Sequence, residues 1–202
     1  MEITAAFLWN STEKSISYII IDEDYDSLVQ PTTTKEIKQG DLKAFCSNAQ
    51  KVIQTFFDRI KDVYNEQPGC TIKIEYKIVG HGSPAQPYHT QLHKPSDNTE
   101  FVRKKFFELL HDISEKNKSI VLADTQYRTK LKKPELAEFK KGLDGLHLVP
   151  KVKGNAYVYH LWALALHATK SNYKKQLKKL TQIVKPVKEI EKDERKRRKA
   201  SD

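Results

Sequence analysis

Residues 3–21 read ITAAFLWNSTEKSISYIII, and the fold turns on them. Ile3, Ala5, Phe7 and Trp9 alternate with Thr4, Ala6 and Leu8. A polar Asn10-Ser11-Thr12 step follows, and Ile16, Tyr18, Ile19, Ile20 and Ile21 run back. Two-residue apolar spacing on either side of a turn predicts a β-hairpin. Downstream, DEDYDSLVQPTTTKE (22–36) carries Asp22, Glu23, Asp24 and Asp26. It lacks the glycine and the closing glutamate of a calcium loop, and it reads as a solvated surface loop.

Gly40-Asp41 introduces a helix over about 42–64, with Leu42, Phe45, Ala49, Val52, Ile53, Phe56, Ile60 and Val63 on one face. Asn65 to Gly69 stops it, and Cys70 to Val79 alternates as a half-buried strand. The first block is therefore β-β-α-β. GHGSPAQPYHTQLHKPSDN (80–98), with three prolines, reads as a loop and places a lobe boundary near residue 95.

The second block opens with Asp97 or Asn98 as N-cap of a helix that turns Phe101, Phe106, Leu109, Leu110 and Ile113 inward. A short strand is expected at Ile120, and a helix from Pro134 to the glycines 142 and 145. Lys153-Gly154-Asn155 reads as a turn between extended runs. Between Tyr157 and His167 both odd and even positions are apolar, as in an element buried on all sides, and its type stays open between strand and helix. Leu177, Leu180, Ile183 and Val184 then recur at helical spacing with lysines opposite. The chain is expected to be α+β: a hairpin-α-β lobe (1–95), a helix-rich lobe with a small antiparallel sheet and a basic C-terminal helix (96–185), and a basic, disordered tail (186–202).

Composition narrows the class. The 202 residues include 38% hydrophobic and 31% charged side chains, enough apolar content for a core. Two cysteines, Cys46 and Cys70, exclude a disulfide scaffold and point to a reducing, cytoplasmic compartment. The N-terminal residues lack a basic leader, and no uncharged run reaches the roughly 20 residues of a bilayer span, so no membrane association is expected. The net charge of +10 is unevenly placed. Residues 170–202 hold thirteen Lys/Arg against five Asp/Glu, a balance of +8, and the other 169 residues carry +2. Arg195, Lys196, Arg197, Arg198 and Lys199 form the densest run, suited to a phosphate backbone by counterion release. A solvated terminus is the bland alternative.

Three constellations could carry chemistry. His81, His89 and His93 lie in one loop, but Pro84, Pro87 and Pro95 oppose a helical ligand pair and no further ligand is near, so neither metal nor cofactor is expected. His81-Gly82-Ser83 and His167-Ala168-Thr169 are two H-x-[ST] triplets after apolar runs. That pattern resembles the two-histidine (2H) phosphoesterases, a resemblance that implies His81 and His167 exchanging a proton across a phosphodiester.

The third is an order of elements. FFELLHDISEKN, then KLKKPELAEFKKGLDGLHLVPKVKGNAYVYHL, then ALHATKSNYKKQLKKL resembles the RelE/HigB toxins over about residues 100–185, with Gly142-Leu143-Asp144-Gly145-Leu146 at the step into the sheet. The resemblance implies an RNA-cleaving site with Lys151, Lys153 and Lys170 around the phosphate and His167 or Tyr157 assisting the 2′-hydroxyl. Where the family's pattern has an arginine after that step, this chain has His147-Leu148-Val149. The partners expected are nucleic acid, RNA before DNA, and an antitoxin or other acidic protein. A binding protein whose basic tail docks on such a partner is the non-catalytic alternative.

Overall fold

A computed structural model of the chain describes residues 1–10, 14–24, 27–33, 42–79, 97–122, 131, 133–148 and 156–184. Its strands are β1 (Glu2–Asn10), β2 (Ser15–Ile21), β3 (Ser27–Thr33), β4 (Thr71–Val79) and β5 (Ile120–Leu122). Its helices are α1 (Leu42–Glu66), α2 (Asp97–Lys116), α3 (Lys133–Gly145), α4 (Ala156–Ala165) and α5 (173–184). The α+β class is as the sequence predicts.

The strands form one mixed sheet in the order β3-β2-β1-β4-β5. β1 pairs antiparallel with β2, as the hairpin requires, and parallel with β4 in a register that sets Ala6 against both Ile19 and Glu75. β5 adds parallel to β4. Helices cover both faces. On one, Ile3, Ala5, Phe7 and Trp9 pack with α1 and α2; on the other, Ala6, Leu8, Ile19 and Ile21 pack with α3, α4 and α5. Both parities of β1 and β2 are therefore apolar, because a central strand between two helix layers has no solvent face.

Three expectations are corrected. Residues 27–33, read as part of a solvated loop, form the edge strand β3. Pro31 hid it: proline removes a ladder donor and is tolerated in strands chiefly at an edge, which is where β3 lies. The boundary near residue 95 falls inside a shared core, because Val102, Phe106, Leu110, Ile113 and Ile120 from beyond it pack with the β1, α1 and β4 side chains. The small antiparallel sheet of the second block is absent among the described residues. The long run that could have been its strand is helix α4, with Val158 and all of Leu161 to Leu166 buried. A helix apolar all round loses its amphipathic period, so spacing alone does not separate it from a buried strand.

The ends of α3 and α4 are built alike. Ala168 N–H donates to the Ala163 carbonyl at 2.8 Å and His167 N–H to that of Leu164 at 3.1 Å. Leu148 and His147 repeat the pattern on Leu143 and Asp144. Both are Schellman closures, and both set a histidine in the left-handed position usually held by glycine, His147 at φ 56° and His167 at φ 49°. A side chain there costs about 1 kcal/mol.

α5 is the amphipathic helix that the leucine spacing predicts. Tyr173 and Leu180 are buried against α3 and α4, while Lys174, Lys175, Lys178 and Lys179 are exposed. Gly142 allows the approach: a Cβ there would stand 2.9 Å from both Leu177 methyl carbons. No helix among the described residues is long and apolar enough to cross a membrane.

Candidate functional site

β4 alternates Ile72, Ile74 and Tyr76 toward α1 and α2 with Lys73, Glu75 and Lys77 toward α3 and α4. Period two alone would send the second set into water. The C-terminal part of the chain covers it instead, and Glu75 is left with no exposed surface.

The left-handed turn at His167 brings its imidazole to that carboxylate. Nε2 of His167 stands 2.9 Å from Oε1 of Glu75. The contact is an ion pair by distance, not an aligned hydrogen bond, since neither Glu75 oxygen has a hydrogen-bond partner of good geometry among the described residues. Contact with Glu75 raises the His167 pKa above the usual histidine value, against burial and Lys73, which act to lower it. The imidazolium is thus favoured, with the side chain 45% exposed beside a buried anion.

Asn172 fixes the backbone that carries the ring. Its Oδ1 accepts from Thr169 N–H at 2.6 Å and its Nδ2 donates to the His167 carbonyl at 3.0 Å. The Thr169 hydroxyl stands 3.0 Å from that of Ser171. Lys73 is paired with Glu2 at 2.6 Å. Further along the same face, burial lowers the Lys77 pKa. His160, half-buried on α4, is pushed down to about 4 by burial and then by the nearby Lys77 and Lys140 charges.

On α4 the Tyr159 hydroxyl donates to Asp144 Oδ1 at 2.7 Å, which raises its pKa to about 12, and Lys140 lies 5.1 Å from the centre of its ring. Tyr159 is therefore an inter-helix tie. Trp162 is wholly buried, with its Nε1 unpartnered among the described residues.

Of the residues singled out from sequence, His167 is the one the structure places in a built environment. Lys170 is exposed in the turn that follows it. Tyr157 lies in the first turn of α4. His81, His89, His93, Lys151, Lys153 and Arg195 to Lys199 lie outside the described residues, and with them the geometry of a His81–His167 site. The described residues contain no group of three or more His, Cys, Asp or Glu able to hold a metal ion. Glu75, Lys77 and His160 are what sequence reasoning missed. The available signal was three consecutive charged positions on one face of a strand followed by a late apolar helix with no solvent face of its own.

No family model and no curated protein matches the sequence. Among solved structures, a RuvC structure from Thermus thermophilus aligns with 81% of this chain and 90% of its own at 11% identity, with a TM-score of 0.40, a likeness too remote to bear on function.

Proposed function

We propose that the protein binds nucleic acid, RNA before DNA, through the lysine face of α5 and the basic run that follows. The observation that carries this reading is that α5 docks through Tyr173 and Leu180 and so holds Lys175, Lys178 and Lys179 outward as a fixed row. Lys174 is tied to Glu138 at 3.3 Å and contributes less. Lysines spaced along a rigid helix meet successive phosphates without the ordering cost of a free tail.

Replacing Lys175, Lys178 and Lys179 with alanine should weaken binding to a short RNA and flatten the plot of log affinity against log salt by about 3, one for each phosphate no longer neutralised. Thermal melting should not change, because all three side chains are exposed. Unchanged affinity, or binding only to an acidic protein, would refute it.

A second, catalytic reading rests on His167. An imidazole whose protonated form is favoured by a buried carboxylate, three residues from Lys170, is suited to protonate a leaving oxygen of an RNA phosphodiester. This is the part of the RelE/HigB-type and 2H readings that depends on described residues alone. His167→Gln should abolish cleavage of RNA while leaving its binding intact. Full cleavage by a folded His167→Gln protein would end this reading.

A further inference from the structure

We propose that the nucleic acid this protein takes is a single strand, its backbone lying along the outer seam between α3 and α5 with Lys141 on one side and Lys178 on the other. The inference rests on the lysine-face reading and adds to it a second ridge of contact and the form of the ligand.

Two contacts fix how the helices lie. Glu138 of α3 meets Tyr173 and Lys174 of α5, the lysine at 3.3 Å. One turn on in both helices, Gly142 lies against Leu177, close enough that a Cβ would stand 2.9 Å from its methyl carbons. α3 and α5 therefore run side by side in the same direction. Helices that meet through a glycine sit at the near end of the usual axial separation of about 8–10 Å.

The inner side of the pair holds Phe139, Leu143 and Leu146 of α3 with Tyr173 and Leu180 of α5. Lys141 and Lys178 each stand one residue, about 100°, round from the Gly142–Leu177 contact on the outer side. Both are exposed. Three residues beyond Gly142, Gly145 faces open space: no described atom lies within 4 Å of where a Cβ would stand. The two lysine ridges are thus separated by a stretch of α3 that raises no side chain between them.

Charge selects one end of this seam. α5 itself holds no Asp or Glu. On α3, Asp144 turns away to Tyr159 of α4, bonded at 2.7 Å. Glu138 is engaged by Tyr173 and Lys174, a turn before Gly142. Glu135 lies nearer still to the start of α3, and its Oε2 is buried without a hydrogen-bond partner among the described residues. The start of the seam is therefore anionic, and the stretch from Lys141 onward is cationic.

A positively charged groove that tracks one backbone is the usual means of holding a single strand. Two rigid helices supply the cations here, so the strand alone is ordered on binding. A duplex is a convex cylinder wider than the seam, and it rests on the outward crest of α5 without reaching Gly145.

Single-stranded and duplex RNA of equal length, titrated at matched salt, should separate, the single strand binding more tightly. Lys141→Ala should weaken the single strand several-fold and flatten its plot of log affinity against log salt by about 1. Gly145→Val puts a neutral, rotamer-restricted filler into the open stretch. It should weaken the single strand and leave the duplex unchanged, with thermal melting confirming that both variants fold. Equal affinity for the two forms, or single-strand binding indifferent to both substitutions, overturns the proposal. If the α5 triple alanine variant loses binding while Lys141→Ala and Gly145→Val do not, the strand lies on α5 alone: the inference fails and the lysine-face reading stands. If the triple variant also binds normally, that reading fails with it.

Discussion

Phe106→Ala should destabilise the whole chain by about 3–5 kcal/mol, as truncation of a fully buried aromatic does, and unfolding should remain a single transition. The ring has no exposed surface and lies 4.7 Å from Phe7, 5.3 Å from Phe57 and 5.4 Å from Tyr76, between centroids. Those partners belong to β1, α1 and β4, so a residue on α2 completes the core of the N-terminal strands. Denaturant melts followed by tryptophan fluorescence provide the check, because Trp9 reports on the α1/α2 side of the sheet and Trp162 on the α3/α4 side. Two separated transitions in the variant would show that the halves fold independently. The Trp9 Nε1–H bond to the buried Thr99 hydroxyl, at 3.0 Å, ties the same two stretches of chain and gives the cooperativity a polar component.

The second large effect is at His167. His167→Ala removes the counter-charge of a carboxylate with no exposed surface. Breaking a fully buried pair in this way costs about 3–5 kcal/mol. Because the His167 side chain is 45% exposed, water screens part of the interaction and the loss should be nearer about 2 kcal/mol. Adding Glu75→Met to that variant should recover most of it, since an apolar group of similar size leaves no charge to compensate.

The pair also sets a pH dependence. Contact with Glu75 raises the folded pKa of His167, so its contribution to stability is complete below the unfolded value of about 6.5 and is lost as pH rises through the folded value. Chemical denaturation as pH rises above the unfolded value should show that loss in the natural protein and not in Glu75→Gln. His147 supplies the control. It occupies the same left-handed position at the end of α3 with an exposed ring, and His147→Gly should gain up to about 1 kcal/mol. His167→Gly relieves the same backbone strain yet should lose stability overall. Equal responses at the two histidines would mean that the Glu75 contact stabilises nothing.

Part of this is legible in the sequence, and the missed part has a common cause. α1, α2 and α5 each bury one face, β4 alternates apolar with charged side chains, and the hairpin pairs locally across its turn, so these elements can be read. α4 buries nearly every side, and β3 carries Pro31 beside two threonines; in both, the pattern that identifies an element is erased by where it sits in the tertiary structure. The alternation of β4 correctly marks Lys73, Glu75 and Lys77 as one face, but a strand does not announce that a helix almost eighty residues later will cover that face. In the sequence His167 stands out through its spacing to Thr169. Its actual constraint is a helix-closing φ of 49° that aims the ring at Glu75.

The two margins of the sheet bear on how the protein behaves at high concentration. An edge strand offers unpaired amide and carbonyl groups on which a second molecule can build. At one margin β3 carries Pro31, which lacks a ladder donor, and its register with β2 is broken at two points. At the other, β5 is three residues long. Neither rim is a long, regular template, so strand-by-strand self-association is disfavoured, and crowding of this cationic chain onto a polyanion should concentrate it without seeding fibrils.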